Sequence, residues 1–187
     1  SVFVGNELFI SPKALYLKGW LDIDDVLVKA NENERVDYGE ARKLKMPMLF
    51  KAAANFLTKG EKEDLEDFAA FRKEEGWWLE DYALFQALCA KYNDSRWFSV
   101  WPKDLRIREK KAMDKARKEQ KSLVDIYCVL QYFFYTQWDK LKKYANEKGV
   151  EIVGDIPIFV ASDSVDAWTN TNLLQFDENC VQEASAG

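Results

Sequence analysis

Between Leu123 and Tyr144 the chain carries a stripe of residues at steps of four and three: Leu123, Tyr127, Leu130, Phe134, Gln137, Leu141 and Tyr144. That spacing is one face of an α-helix. Ile126, Val129, Phe133 and Trp138 widen the stripe around the cylinder, so the helix must be covered on more than one side. Lys140, Lys142, Lys143 and Lys148 complement the helix dipole toward its end, and Gly149 is placed to cap it. The β-branched run Val150-Glu151-Ile152-Val153 follows at once. Helix, Gly and short buried strand together predict an α/β unit feeding a parallel sheet. Gly154-Asp155-Ile156-Pro157 must end that strand, which puts Asp155 at its carboxyl end. In α/β folds that edge binds ligands. A simpler role for Asp155, satisfying backbone amides of the next turn, is equally open.

Everything upstream reads as helix and loop. Glu7 to Ile10 is a short extended piece, and Ser11-Pro12 supplies an N-cap and a first-turn proline for a helix stopped by Gly19. Asn31 to Glu34 is a polar connection, and Val36-Asp37-Tyr38 caps a further helix that Pro47 should kink or break. Gly60 to Glu63 is a solvated turn before an amphipathic helix carrying Leu65, Phe68 and Phe71. Trp78, Tyr82, Phe85, Cys89 and Tyr92 trace another helical face, which Asn93-Asp94-Ser95 breaks. Trp97, Phe98 and Trp101 then fall in an aromatic loop, and the mixed charges from Arg106 to Lys121 read as an exposed helix face rather than a basic patch. About five helical segments thus precede one parallel strand, near residues 150–155. A lone parallel strand cannot pair with itself, so its partners are expected elsewhere in a longer chain.

Composition removes several kinds of chemistry. Among 187 residues there is no His, which excludes Ser-His-Asp and Cys-His nucleophile pairs and His-based metal sites. A formal net charge of -5 offers no field for phosphates or anionic lipid, so neither nucleic acid nor a membrane is an expected partner. Cys89, Cys128 and Cys180 are odd in number and far apart, the pattern of reduced thiols in a cytoplasmic protein. The start lacks a signal-peptide pattern, and no run approaches the roughly 18 uncharged apolar residues of a membrane span.

Few local motifs carry chemistry. The eight glycines form no phosphate-binding loop. Asp22-Ile23-Asp24-Asp25 lacks the Gly and Glu of a calcium loop and reads as an acidic helix start. Asp163-Ser164-Val165-Asp166 could supply carboxylates, but capping of a short helix around Ser164 to Trp168 accounts for it as well. Aromatic residues make up 14% of the chain, a load that serves either sugar stacking or a core. Helical spacing favours the core for Trp78, Tyr82, Phe85, Phe133, Phe134 and Trp138. Trp97, Phe98 and Trp101 are the better candidates for a surface platform, although packing explains them too.

The segment Gly154-Asp155-Ile156-Pro157-Ile158-Phe159-Val160-Ala161, continuing through Asp163-Ser164 to Trp168, resembles the G-D-[LIM]-P-I-[FY]-V-A-x-D-S-A-[DE]-x-W segment of the 4-α-glucanotransferases, glycoside hydrolase family 77. Upstream, Gln137-Trp138 and Leu141 to Val150 are similar to that family's R-Q-W-x-x-L-x-x-Y-A-N-x-x-G-[IV] helix. Trp78 to Leu88 is similar to its W-L-x-D-Y-A-L-F-x-A-L helix, Ser1 to Asn6 to S-x-F-A-G-N, and Val36-Asp37-Tyr38 to V-D-Y. The motifs run in the family's order over nearly the whole chain. Two departures stand out: Asn6-Glu7 replaces Asn-Pro, and Thr169-Asn170-Thr171-Asn172 replaces the N-P-[ED]-L context.

The resemblance implies an α/β fold, a (β/α)8 TIM barrel in the full enzyme, of which this span is a predominantly α-helical early portion. Residues 1–187 would be part of the catalytic barrel domain, with about 11–121 a mainly helical insertion and about 122–168 a barrel helix-strand-loop unit. The implied reaction cleaves an α-1,4-glucosidic bond and transfers the glucan to a 4-hydroxyl by a retaining double displacement. Maltooligosaccharides or other α-1,4-glucans would be donors and glucose an acceptor, with no cofactor and no metal. Asp155 matches a polar element of the donor subsite and is the one substrate-binding residue carried over. The nucleophile and acid/base are expected downstream of Gly187, so the span alone is expected to be inactive. The competing reading is a self-contained helical module that binds a partner or glucan without catalysis.

Overall fold

The computed structural model describes residues 3–27, 35–155, 158–174, 176–177 and 180. They form a 3-10 turn at Glu7–Phe9 followed by ten helices. Four come first: α1 (Pro12–Leu17), α2 (Ile23–Val26), α3 (Tyr38–Lys59) and α4 (Lys62–Glu74). Then follow α5 (Gly76–Tyr92), α6 (Trp97–Val100), α7 (Lys103–Arg106), α8 (Lys110–Glu119), α9 (Lys121–Glu147) and α10 (Val165–Thr169).

Local chemistry sets most boundaries. Ser11 Oγ accepts the Ala14 N–H at 3.4 Å with Pro12 in the first turn, and past the end of α1 at Leu17 the chain turns at Gly19, whose φ of 75° suits only glycine at low cost. Asp22 and Asp25 form a capping box around α2, as expected of an acidic helix start. Asp37 accepts the Glu40 N–H at 3.0 Å to open α3. Pro47 does not break that helix, which continues through it to Lys59. The turn at Gly60 is shorter than expected, because Lys62 and Glu63 already belong to α4. Gly149 (φ 74°) closes α9, with the Val150 N–H reaching back to the Ala145 carbonyl at 2.9 Å.

Three expectations are corrected. Glu7 to Ile10 is not extended: the Phe9 and Ile10 N–H groups bond to the Asn6 and Glu7 carbonyls, a 3-10 turn capped by Asn6. The aromatic segment after Ser95 is not an open loop, since Trp97–Val100 is a helical turn and Trp97 and Trp101 are 0% and 1% exposed. The strand near 150–155 is not formed. Residues 150–155 are exposed and outside any helix or strand, with Val153 89% exposed. A parallel strand needs a neighbouring strand for its amides, and none is present among the described residues.

The chain divides into two compact units, each assembled from separated stretches. One comprises Gly5–Gly76 and Cys128–Ile152. Phe56 of α3 lies at its centre, with Trp20, Phe68 and Phe133 meeting its ring edge-on at 4.9 to 5.6 Å, while Trp20 stacks on Phe133 at 4.9 Å. Every residue from Cys128 to Phe133 is buried, which fulfils the expectation that α9 is covered on several sides. The covering stops short of the full stripe, because Leu141 and Tyr144 are exposed. The segment before α1 is pinned by side chains: Gln131 accepts the Gly5 N–H at 2.8 Å and donates to the Gly5 carbonyl at 3.0 Å. Gln137 accepts the Ser11 N–H at 2.7 Å, and Lys45 donates to the Leu8 and Ile10 carbonyls. Burial lowers the Lys45 pKa.

The other unit comprises Ser1–Val4, Trp77–Tyr127 and Val153–Gly187. Its core is rich in tryptophan. Trp168 of α10 lies 5.8 Å from Phe85 of α5 and 5.4 Å from Trp101, edge to face in the second case. Three of its buried indoles also hold a backbone carbonyl: Trp97 Nε1 donates to Ser162, Trp101 Nε1 to Asp94, and Trp168 Nε1 to Leu105, at 2.7 to 3.2 Å.

Candidate functional site

In the second unit, open aromatic surface, carboxylates and an amide converge on one cleft. Its foundation is Asp81, one turn into α5, whose two oxygens each accept from a different arginine: Arg108 Nη2 at 2.6 Å and Arg117 Nη2 at 3.0 Å. Arg108 stands just past α7 at φ 55°, a backbone conformation that a non-glycine residue adopts only at a cost. The Glu109 N–H bonds back to the Asp104 carbonyl at 2.8 Å and closes this turn. The Arg108 guanidinium also lies 4.5 Å over the Trp168 ring, a cation–π contact with an indole that is fully buried. Among the described residues, Arg108 Nη1 and Arg106 Nε are buried without a hydrogen-bond acceptor.

Asp81 and the arginines therefore fix α10 against α5. Of the two candidate caps, Ser164 and Asp163, it is Ser164 that caps α10, accepting the Ala167 N–H at 3.2 Å, while Asp163 accepts the Ser95 hydroxyl at 2.9 Å. Between the two helices opens a cleft of about 300 Å³, lined by Phe3, Trp77, Trp78, Asp81, Val165, Asp166, Thr169 and Asn170. Trp77 is 66% exposed on its rim, and Phe3 meets the indole edge-on at 4.6 Å. Asn170 uses its amide group within α10, donating to the Asp166 carbonyl at 3.0 Å and to Thr169 Oγ1 at 2.9 Å.

Asp155 lies in the exposed segment before α10 and does not line this cleft. Ile156 and Pro157 of the same motif lie outside the described residues. Trp97 and Trp101 are packing residues, not a surface platform, whereas Phe98 is half-buried against Trp97 at 5.7 Å. Near the same core, burial and the charges of Asp163 and Asp94 push the Cys89 thiol up to about 12, so it is an inert thiol at neutral pH. Bonds from the Arg96 side chain and backbone hold Asp94 down at about 2. Among the described residues, no group of three or more His, Cys, Asp or Glu side chains comes together as a metal site would require.

Sequence spacing did not reveal the Asp81 cluster. The mixed-charge run from Arg106 to Lys121 reads as a solvated face, and Arg108 and Arg117 leave that face to meet a carboxylate 27 and 36 residues upstream. Trp77 also escapes notice, because the helical stripe passes through its neighbour Trp78.

Comparison with known proteins gives this geometry a setting. Residues 1–186 match the model of the family described as 4-alpha-glucanotransferase, glycoside hydrolase family 77. The chain is 40% identical over 184 residues to the 4-alpha-glucanotransferase of Clostridium butyricum, covering 97% of this chain and 37% of that protein. To the enzyme of the same name from Thermus thermophilus it is 39% identical, covering 100% of this chain and 37% of that one. Among solved structures, the amylomaltase from Streptococcus agalactiae in complex with acarbose matches with a TM-score of 0.88 at 34% identity, over 95% of this chain and 36% of that one. The chain belongs to the 4-alpha-glucanotransferase family. It spans a little over a third of the length of these relatives.

Proposed function

We propose that this chain is the early, mainly helical portion of a (β/α)8 barrel 4-α-glucanotransferase. That enzyme moves a segment of a 1,4-α-D-glucan to the 4-hydroxyl of glucose or another α-1,4-glucan. The observation that carries the reading is the family match over residues 1–186. In the proposed reaction a carboxylate attacks the anomeric carbon while an acid protonates the departing oxygen. The 4-hydroxyl of the acceptor then attacks the glycosyl ester, giving its proton to the same acid/base group and releasing the carboxylate. Both reacting carboxylates are assigned to sequence beyond this span. Asp155 is assigned a polar contact with the donor sugar next to the scissile bond. About 11–121 is read as the helical insertion and about 122–168 as part of the barrel.

Substrates on this reading are maltooligosaccharides, with no nucleic acid, membrane or cofactor involved. A cytoplasmic location is part of the proposal. Among the described residues no helix is long and apolar enough to cross a membrane.

The test is disproportionation of maltotriose. The complete enzyme should release glucose and longer maltooligosaccharides, whereas residues 1–187 alone should yield neither; longer products from the isolated span would refute the assignment. In the complete enzyme, Asp155→Ala should lower turnover by about 100-fold, a loss of roughly 2.7 kcal/mol of transition-state stabilisation, with little change in melting temperature. Parallel losses of activity and melting temperature would return Asp155 to a turn-stabilising role.

A further inference from the structure

We propose that the cleft between the start of α5 and α10 is a subsite for one pyranose ring of an α-1,4-glucan, with Trp77 as its stacking face; this rests on the glucanotransferase reading above. The volume, about 300 Å³, stands at the small end of ligand pockets and suits one ring with its solvent rather than an extended chain. Its chemistry suits a sugar. Pyranoses present an apolar C–H face and a rim of hydroxyls, and the cleft offers an exposed indole beside a carboxylate, a hydroxyl and a carboxamide.

The polar groups can be assigned individually. Asn170 spends its amide hydrogens on the Asp166 carbonyl and Thr169 Oγ1, which leaves Oδ1 to accept from a sugar hydroxyl. The Trp77 indole N–H, unlike those of Trp97, Trp101 and Trp168, donates to no carbonyl among the described residues and can meet a hydroxyl oxygen. Phe3 holds the indole edge-on at 4.6 Å and limits its swing. Charge selects a neutral occupant. The two acids of the lining, Asp81 and Asp166, are balanced by Arg108 and Arg117 on the Asp81 carboxylate, so neither a cation nor an anion finds a net opposite charge.

The experiment compares the complete wild-type enzyme with Trp77→Ala and Trp77→Phe, measuring kcat and KM for maltotriose and maltoheptaose. Loss of the stacking face should raise KM for maltoheptaose about five- to tenfold in the alanine variant, with kcat held and most of the loss recovered by phenylalanine. Equal KM values in all three proteins would overturn the proposal. Acrylamide quenching of the Trp77 emission, taken as wild type minus Trp77→Phe, should fall when maltoheptaose is added. A Trp77 already shielded without sugar would assign the cleft to the enzyme's own polypeptide and also overturn it. Failure of the wild-type enzyme to elongate maltotriose would sink the glucanotransferase reading, while the quenching difference would still report whether a sugar occupies the cleft.

Discussion

The unit of Gly5–Gly76 with Cys128–Ile152 and the unit of Ser1–Val4, Trp77–Tyr127 and Val153–Gly187 both fill their cores with aromatic rings, yet they tie down irregular backbone in different ways. In the first, the rings of Trp20, Phe56, Phe68 and Phe133 mainly pack on one another, and the segment before α1 is held separately by Gln131, Gln137 and Lys45. In the second, filler and tie are the same side chain. Trp97, Trp101 and Trp168 occupy the core and each also satisfies a carbonyl in or beside a connection between helices. Removing a core residue should therefore cost volume alone in one unit, and volume plus loop anchorage in the other.

The largest effect expected is at Trp168. Trp168→Ala should destabilise by about 3–5 kcal/mol, measured by urea unfolding, because it opens a cavity and strips Arg108 of its aromatic partner. Trp168→Phe separates the two contributions. It keeps most of the ring but removes the indole N–H from the Leu105 carbonyl, which retains its bond from the Arg108 N–H, for an expected cost of about 0.5–1.5 kcal/mol. A phenylalanine variant as stable as wild type would erase the distinction drawn between the units.

The first unit is probed by Gly5→Ala. A Cβ at Gly5 would sit 2.0 Å from the Phe134 ring, so the strap or the ring must move, at an expected cost of about 1–3 kcal/mol in melting experiments. An unchanged melting temperature would mean that Gln131 holds the strap less closely than its paired bonds to Gly5 imply.

The smallest effect is electrostatic. Asp94 is held at about 2, below the ordinary carboxylate value, so the folded state binds its proton more weakly than the unfolded chain. The resulting stabilisation is full above the unfolded value and fades as pH falls from about 4 toward 2. Asp94→Asn should flatten the acid limb of a stability–pH curve in that interval, and salt should shrink the difference because Arg96 is exposed. Identical acid limbs for the two proteins would show that the pair contributes nothing measurable.

What the sequence disclosed follows the range of each interaction. Caps at Ser11, Asp37 and Ser164 and the stop at Gly149 involve bonds within a few residues, and all four fall within the stretches the sequence marked, Asp37 within Val36-Asp37-Tyr38 and Ser164 as one of two candidates with Asp163. The strand near 150–155 failed because a strand is a property of a pair, and β-branched residues cannot supply their own partner. Trp97 and Trp101 were ambiguous for a related reason: irregular spacing says nothing about what folds over a ring. The candidate cleft was not legible in the sequence. Asp155 could be singled out from its motif, but the cleft depends on Phe3, Asp81 and Asn170, whose meeting no local pattern encodes.

The interleaving of the two units has a consequence for synthesis on the ribosome. Gly5 and the glutamine that pins it are 126 residues apart, and α10, which holds Trp168, follows the last residues of the other unit. Lys45 of α3 can hold Leu8 and Ile10 early, but Gly5 and Ser11 must wait for their glutamine partners until α9 clears the exit tunnel, and the tryptophan core waits longer still. Loop closure over such spans is slow compared with helix formation. The nascent chain should therefore pass through a stage of formed helices with exposed aromatic faces, the stage at which chaperone binding or aggregation would compete with completion of either core.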